Sequence, residues 1–292
     1  MDPRARIDLA LEKALERTHA LGSPPLLAKA MHHAVFPGGG RFRPRLTVGV
    51  AMACREDAPA LTDAAACAIE MMHCASLVHD DLPCFDDADL RRGQPSVHKV
   101  YGEPLAVLSG DGLIVLSFQV LCDVASVTVP QRLAPLVRIV SDAVGVPNGI
   151  TAGQAWESEP EIEINGYQAA KTGSLFAAAT MAGAAAAGVE DVSAWWTPGA
   201  RIGEAYQVAD DLRDVAEDAE TLGKPVGQDA ANNRPNAVAQ FGVEGAVRRL
   251  QSLVEEAAAS VPDCAGAEHL RALIRQESKK FIPRRLAAFA AE

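Results

Sequence analysis

Apolar residues recur at every third or fourth position through most of the chain, the period of a helix that buries one face. The pattern predicts an amphipathic helix over residues 7–20 and a second over 24–35, entered through Pro24–Pro25. Pro37–Gly38–Gly39–Gly40 ends it, and Arg43–Pro44 opens a third helix reaching residue 54. Residues 61–82 are apolar nearly all round, so this helix belongs inside a bundle. A loop is expected over Pro83–Pro95, then helices at 97–101, 104–126, 130–144, 168–188, 194–218, 234–239, 243–260 and 266–288. No strand pattern or repeat stands out, and Gly/Pro clusters fall at helix joints rather than between two halves. The expectation is one all-α domain over 1–292, ten or more helices around a central bundle cavity.

Composition agrees. The chain has 292 residues, 49% hydrophobic, enough for one large core. Alanine is abundant and β-branched residues are sparse in most long apolar runs, which favours helix. A net charge of −11 argues against nucleic acid as a partner. A polyanionic substrate must then be met by local basic residues or by metal ions. Cys54, Cys67, Cys74, Cys84, Cys122 and Cys264 show no paired metal-ligand spacing and read as reduced thiols of a cytoplasmic protein. The charged N-terminus lacks a signal-peptide core, and no uninterrupted apolar run of about 18 residues exists, so no membrane span is expected.

Two stretches break the apolar pattern. In "SLVHDDLPCFDDADLRRG", Ser76 to Gly93, an apolar helix runs into Asp80, Asp81, Asp86, Asp87 and Asp89, and the charge then reverses at Arg91 and Arg92. In "YQVADDLRD", Asp210 and Asp214 stand one helical turn apart, beside apolar Val208, Ala209 and Leu212. One such run is ordinarily a solvated helix end. Two, each closing a mostly apolar helix, call for a cation. Oxygen-only donors suit Mg²⁺, which keeps water and shares substrate phosphates; zinc would want His or Cys. On an unbroken helix turning about 100° per residue, Asp80 and Asp86 would face different sides. Pro83 cannot continue the helical bonding, so the chain can swing Asp86 round to Asp80.

"HDDLPCFDDADLRRG" and "DDLRD" resemble the first and second aspartate-rich motifs of the trans-polyprenyl diphosphate synthases. "GGGRFRP", "KTG", "YQVADD" and "LGKPVGQDAANNRPN" fall in the order of that family, over residues 24 to 285. Within it the chain is similar to the bacterial geranylgeranyl diphosphate synthases of carotenoid pathways. The resemblance implies an isoprenoid synthase-like fold, and Mg²⁺-dependent head-to-tail condensation of isopentenyl diphosphate with an allylic diphosphate (dimethylallyl, geranyl or farnesyl) to a C20 product. It implies three Mg²⁺ ions: Asp80 and Asp86 bind two, and Asp210, helped by Asp214, binds the third. Asp81 and Asp211 join the catalytic acids. Lys171, Arg91 and Lys224 hold the allylic diphosphate, while Arg43, His73 and Arg92 form a metal-free basic site for isopentenyl diphosphate. Thr172 and Gln207 place oxygens near the carbocation, and the departing diphosphate serves as base. A homodimer is implied as well. The family pattern GGKRxRP carries lysine where Gly40 stands, so Arg41 or Arg45 must reach in, or Gly38–Gly40 must offer backbone N–H groups.

The growing chain should run along the helix ending at Asp80. Small Ala75 and Ser76, one turn before it, leave room for C20, with Met71, Met72, Leu116 or Phe118 as floor. A C15 or longer-chain synthase, a non-catalytic regulatory subunit and a terpene cyclase are the alternatives. Both aspartate motifs argue against the subunit, and two diphosphate sites against the cyclase.

Overall fold

A computed structural model describes residues 2–36, 39–161, 164–216 and 236–282. The elements run α1 (Pro3–Glu16), α2 (Pro25–Val35), α3 (Phe42–Ala53), α4 (Pro59–Asp80), a hairpin β1 (Leu90–Arg91) and β2 (Gln94–Pro95), α5 (Val97–Tyr101), α6 (Glu103–Val127) and α7 (Leu133–Val144). They continue with α8 (Ile150–Ala155), α9 (Ile164–Gln168), a π-helical turn (Ala169–Gly173), α10 (Ser174–Ala186), α11 (Trp196–Ala216), α12 (Ala237–Ala259) and α13 (Ala267–Ser278). Helix α12 is kinked at Gly242, whose φ is 68°, which is the break the sequence places between 239 and 243.

Helix α4 packs against α6, α3 and α10; α10 packs against α3, α11 and α7; α11 lies along α12. The nearly all-round apolar sequence of α4 matches this place. Its residues from Ala64 to Met72 are buried, and Leu61, Ile69 and Met72 face the large core shared with α10, α11 and α12. Its opposite face meets Ile7, Leu11 and Leu15 of α1 and Leu113 and Leu116 of α6 in a second core. At about 25 cal/mol per Å² of apolar surface, each such fully buried leucine stabilises the bundle by about 2 kcal/mol.

Three local features depart from expectation. Helix α4 stops at Asp80, not at 82, because the backbone N–H of Asp86 turns back to the carbonyl of Asp80 at 3.0 Å, and that of Ala88 to Asp81 at 3.1 Å. The loop after it holds a short antiparallel hairpin, Leu90 opposite Pro95 and Arg91 opposite Gln94. Its turn, Arg92–Gly93, has φ of 56° and 74°, the left-handed pair of a tight hairpin turn, and glycine supplies the second without a Cβ penalty. Finally, α8 and nearly all of α9 lie in a stretch, 145–167, where no helix is expected.

Helices α4 and α6 are each long and apolar enough, by length and composition alone, to cross a membrane. Within the bundle, 78% of the most apolar stretch of α4 is buried but only 39% of that of α6. Helix α6 therefore presents an outer apolar face, with Val107, Leu108 and Val115 exposed.

Candidate active site

One cavity of about 810 Å³ opens between the C-terminal turns of α4 and α11, and its wall collects side chains far apart in sequence. Asp80 and Asp86 stand on one side, Asp210 and Asp214 on the other. Both acid groups occupy helix C-terminal regions, where the aligned peptide dipoles add about half a negative charge. The mouth is therefore strongly attractive to cations. The turn after Pro83 puts Asp86 on the same wall as Asp80, as the sequence argument requires.

Asp80 Oδ1 is buried and has no hydrogen-bond partner. A bare carboxylate oxygen of this kind is costly, and a hard cation would satisfy it. Among the described residues, no three His, Cys, Asp or Glu side chains gather closely enough to hold a metal by themselves. The donor set fits a cation that keeps water and shares ligands with a bound phosphate, which is the habit of Mg²⁺.

Asp81 and Asp211 do not line this cavity; each is held from behind by other side chains or backbone. Asp81 is buried and accepts from Arg91 Nε at 2.8 Å and from the neighbouring Nη2. Burial pushes its carboxyl up, against the pull of Arg91. Adjacent residues on a helix point about 100° apart, so only one of each Asp pair can face the opening. Asp211 is buried too; it accepts from the backbone N–H of Ala237 at 2.7 Å and from Gln207 Nε2 at 3.1 Å. Because that carboxylate only accepts, it fixes the Gln207 amide with its oxygen outward. Thr172 Oγ1 donates to this oxygen at 3.0 Å. Thr172 and Gln207 thus sit on the wall as an oriented polar pair.

The cationic side has two parts. Arg91 and Lys171 flank the first acid group, 3.9 Å and 3.6 Å from Asp80. Arg43, His73 and Arg92 line the same cavity, with His73 Nε2 3.4 Å from Arg92 Nη2. Arg43 is buried, stacks on Phe176 at 4.1 Å, and leaves its Nε without a partner. Burial first, and then Arg43 and Arg92, hold the His73 imidazole well below its ordinary pKa, so it is neutral near pH 7. These three groups share one stretch of the cavity lining. Lys224 lies outside the described residues.

Neither expected substitute for a lysine at position 40 reaches this site. Arg41 is buried and donates to Asp8 at 3.0 Å, Glu70 at 2.7 Å and the Val35 carbonyl at 2.8 Å. Arg45 is held by Glu277 at 2.7 Å. Gly38, part of the backbone alternative, lies outside the described residues.

Below the charged mouth the wall turns apolar. Ala75 and Ser76 line it with Met72, Leu77, Ile114, Val144 and Ile150. Of the expected floor residues only Met72 does so. Met71 and Leu116 are buried in the second core, and Phe118 packs against the first. Neighbours on one helix point to opposite cores, and spacing from Asp80 alone does not decide which.

Sequence reasoning missed Gln154, Tyr167, Tyr206 and Arg213, which line the cavity, and Glu157 beside it. Glu157 Oε1 accepts from Lys171 Nζ at 2.5 Å and from Tyr167 Oη at 2.6 Å. The available signal was Gly149 and Gly153, one turn apart. A Cβ on Gly153 would come within 2.4 Å of the Lys171 backbone nitrogen, so only glycine lets α8 lie against the π-helical turn.

The sequence matches the family described as "Polyprenyl synthetase" over residues 24–269. It is 54% identical to the geranylgeranyl diphosphate synthase of Cereibacter sphaeroides, covering 97% of this chain and 98% of that one. It is likewise 54% identical to that of Rhodobacter capsulatus, covering 95% of each. A geranyltransferase from Helicobacter pylori, crystallised with magnesium and isoprenyl diphosphate, superposes with a TM-score of 0.79 at 29% identity, covering 96% of this chain and 98% of that one. Helical architecture, two acid groups on one cavity and near full-length similarity agree: the chain belongs to the polyprenyl synthetase family, the prenyltransferases that lengthen isoprenoid chains.

Proposed function

We propose that this chain joins isopentenyl diphosphate to an allylic diphosphate, head to tail, and releases geranylgeranyl diphosphate. The carrying observation is a cavity that is lined both by Asp80, Asp86, Asp210 and Asp214 and by an apolar stretch of wall. The mouth suits a metal-bound diphosphate, and the wall suits a hydrocarbon.

In this reading Asp80, Asp86 and Asp210 hold three Mg²⁺ ions, with Asp214 supporting Asp210. Bound magnesium would supply the Lewis acid that neutralises the leaving diphosphate. Lys171 and Arg91 add positive charge to the same oxygens, and Lys224 belongs with them by the family pattern. Arg43, His73 and Arg92 bind the second diphosphate without metal; the contact between His73 and Arg92 and the unpartnered Arg43 Nε support a basic site there. Thr172 and Gln207 stabilise the developing carbocation through oriented oxygens, because Asp211 has already fixed the amide. No side-chain base is assigned: the released diphosphate takes the proton. Ala75 and Ser76, both small, line the wall, which supports growth past C15.

The exposed apolar face of α6 supports a second copy of this chain as the partner there. The six free thiols support a reducing, cytoplasmic setting. The test is an assay with labelled isopentenyl diphosphate and dimethylallyl, geranyl or farnesyl diphosphate, with and without Mg²⁺, resolving product length. A C20 product that needs Mg²⁺ is expected. No prenyl product, or one indifferent to metal removal, overturns the reading, and a C15 product overturns the chain length alone.

A further inference from the structure

Glu157 is an acid beside the cavity to which the metal reading gives no task. It sits on the 3₁₀ turn Trp156–Ser158 that follows α8. Its carboxylate is gripped from behind. Tyr167 Oη donates to Oε1 at 2.6 Å and Gln154 Nε2 donates to Oε2 at 3.2 Å. Lys171 Nζ also donates to Oε1, at 2.5 Å. The same ammonium is 3.6 Å from Asp80 Oδ1, the buried oxygen without a hydrogen bond. The backbone of Lys171 is itself pinned, because α8 seats Gly153 against it. Lys171 belongs to the π-helical turn, a distortion that recurs at functional sites.

We propose that Glu157 is a positioning residue that holds Lys171 off Asp80, leaving that carboxylate open to magnesium while the ammonium points at the bound diphosphate. The proposal rests on the reading of Lys171 as a diphosphate ligand and Asp80 as a metal ligand. An ammonium has three donors and no acceptor, so two nearby carboxylates compete for it. Glu157 wins in this structure because two other donors fix it in place and its contact is shorter; charge-assisted bonds strengthen as they shorten. Without that charge, the nearest anion left to Lys171 is Asp80 Oδ1. A lysine seated there neutralises the oxygen and competes with Mg²⁺ for it. Glu157 thus acts on the metal through Lys171, without touching the reacting atoms.

The test uses the full chain as wild type, Glu157→Gln, Glu157→Asp, Lys171→Ala, and the double variant Glu157→Gln with Lys171→Ala. Two quantities are read: the Mg²⁺ concentration giving half-maximal condensation, and, without turnover, the rise in melting temperature caused by inorganic diphosphate plus Mg²⁺. Glu157→Gln should raise the Mg²⁺ requirement roughly tenfold, as expected for one charge-assisted contact, and shrink the thermal shift. The KM for isopentenyl diphosphate should not move. Glu157→Asp should recover part of both effects. In the Lys171→Ala background Glu157→Gln should add nothing, since no ammonium remains to collapse. A wild-type Mg²⁺ requirement in Glu157→Gln, or an equal penalty in the Lys171→Ala background, overturns the proposal and leaves Glu157 as a staple between α8 and the π turn. If Glu157→Gln does not fold, Tyr167→Phe, which removes one grip on the carboxylate, must raise the requirement by a smaller factor; no rise overturns the proposal equally. The parent reading fails by a different sign: wild type that makes no prenyl product, or Lys171→Ala with an unaltered KM for the allylic substrate.

Discussion

His73 shows how the basic cluster with Arg43 and Arg92 sets a protonation state. Burial and the arginines around it depress its pKa, so the folded chain resists a proton that the unfolded chain accepts. The unfolded histidine titrates near about pH 6.5. The sign follows: stability is fully present above that pH and is lost as pH falls from it toward the depressed folded pKa. His73→Gln should flatten the fall in melting temperature between about pH 7.5 and about pH 5.5, read by scanning calorimetry; an unchanged slope would show that His73 is not held neutral. Gly40 permits a second single-residue test. A Cβ built there meets nothing within 4 Å, so a side chain can start there without a clash. With Arg41 and Arg45 both engaged elsewhere, Gly40→Lys should lower the KM for isopentenyl diphosphate by about tenfold, the worth of a charged hydrogen bond of about 1.5 kcal/mol. An unchanged KM would mean that Arg43, His73 and Arg92 already satisfy the anion. At this scale the sequence was most informative where charge interrupts apolar helix, as at Asp80, Asp210 and Arg43. Glu157 escaped because its neighbours, Glu159 and Glu161, make it look like part of a solvated acidic run. Its lysine, tyrosine and glutamine partners meet it only in three dimensions.

Among the elements, long helices were readable because their apolar period extends over several turns. Helix α4 appears as expected, with an end two residues early, and the break in α12 coincides with Gly242. Short elements were not. The six residues of α8 and the two-residue strands carry too few positions for a period to show, and the hairpin is set by the turn at Arg92–Gly93. Yet these are the pieces that aim Lys171, Arg91 and Arg92. Helix α4 itself sets product length in our reading. Met72, Ala75, Ser76 and Asp80 share its cavity side, so the growing chain runs back along that stripe from the metal end. One five-carbon unit spans roughly one helical turn, about 5 Å. Ala75→Phe places a ring in that path one turn below Asp80 and should shift the product from C20 toward C15, read by chromatography of the hydrolysed alcohols. An active variant with unaltered product lengths would put the limit elsewhere, at Ile114, Val144 or Ile150, which the structure adds to the wall.

At the scale of the whole molecule, α6 poses the remaining question. A surface with a net charge of −11 has no evident need of a long apolar helix turned half outward. Its inner face is accounted for by Leu113, Leu116 and Leu121 in the two cores, and its outer face carries Val107, Leu108 and Val115. Leu108 and Val115 lie two turns apart on one side, so they form a stripe rather than scattered exposures. A second copy of the same helix, related by a two-fold axis, would present the same stripe and bury both, which is how symmetric dimers close. Stable interfaces bury about 1,600 Å² in total, so the helix must recruit neighbours, but its stripe would form the desolvated centre. Val115→Glu places a carboxylate in that centre on both copies at once. It should convert a dimer into a monomer in sedimentation velocity at micromolar concentration, with the helical circular dichroism preserved, because residue 115 lies on the outside of its own subunit. Wild type that sediments as a monomer would refute the pairing outright. A Val115→Glu chain that still dimerises would move the interface to another face and leave the stripe on α6 without its partner.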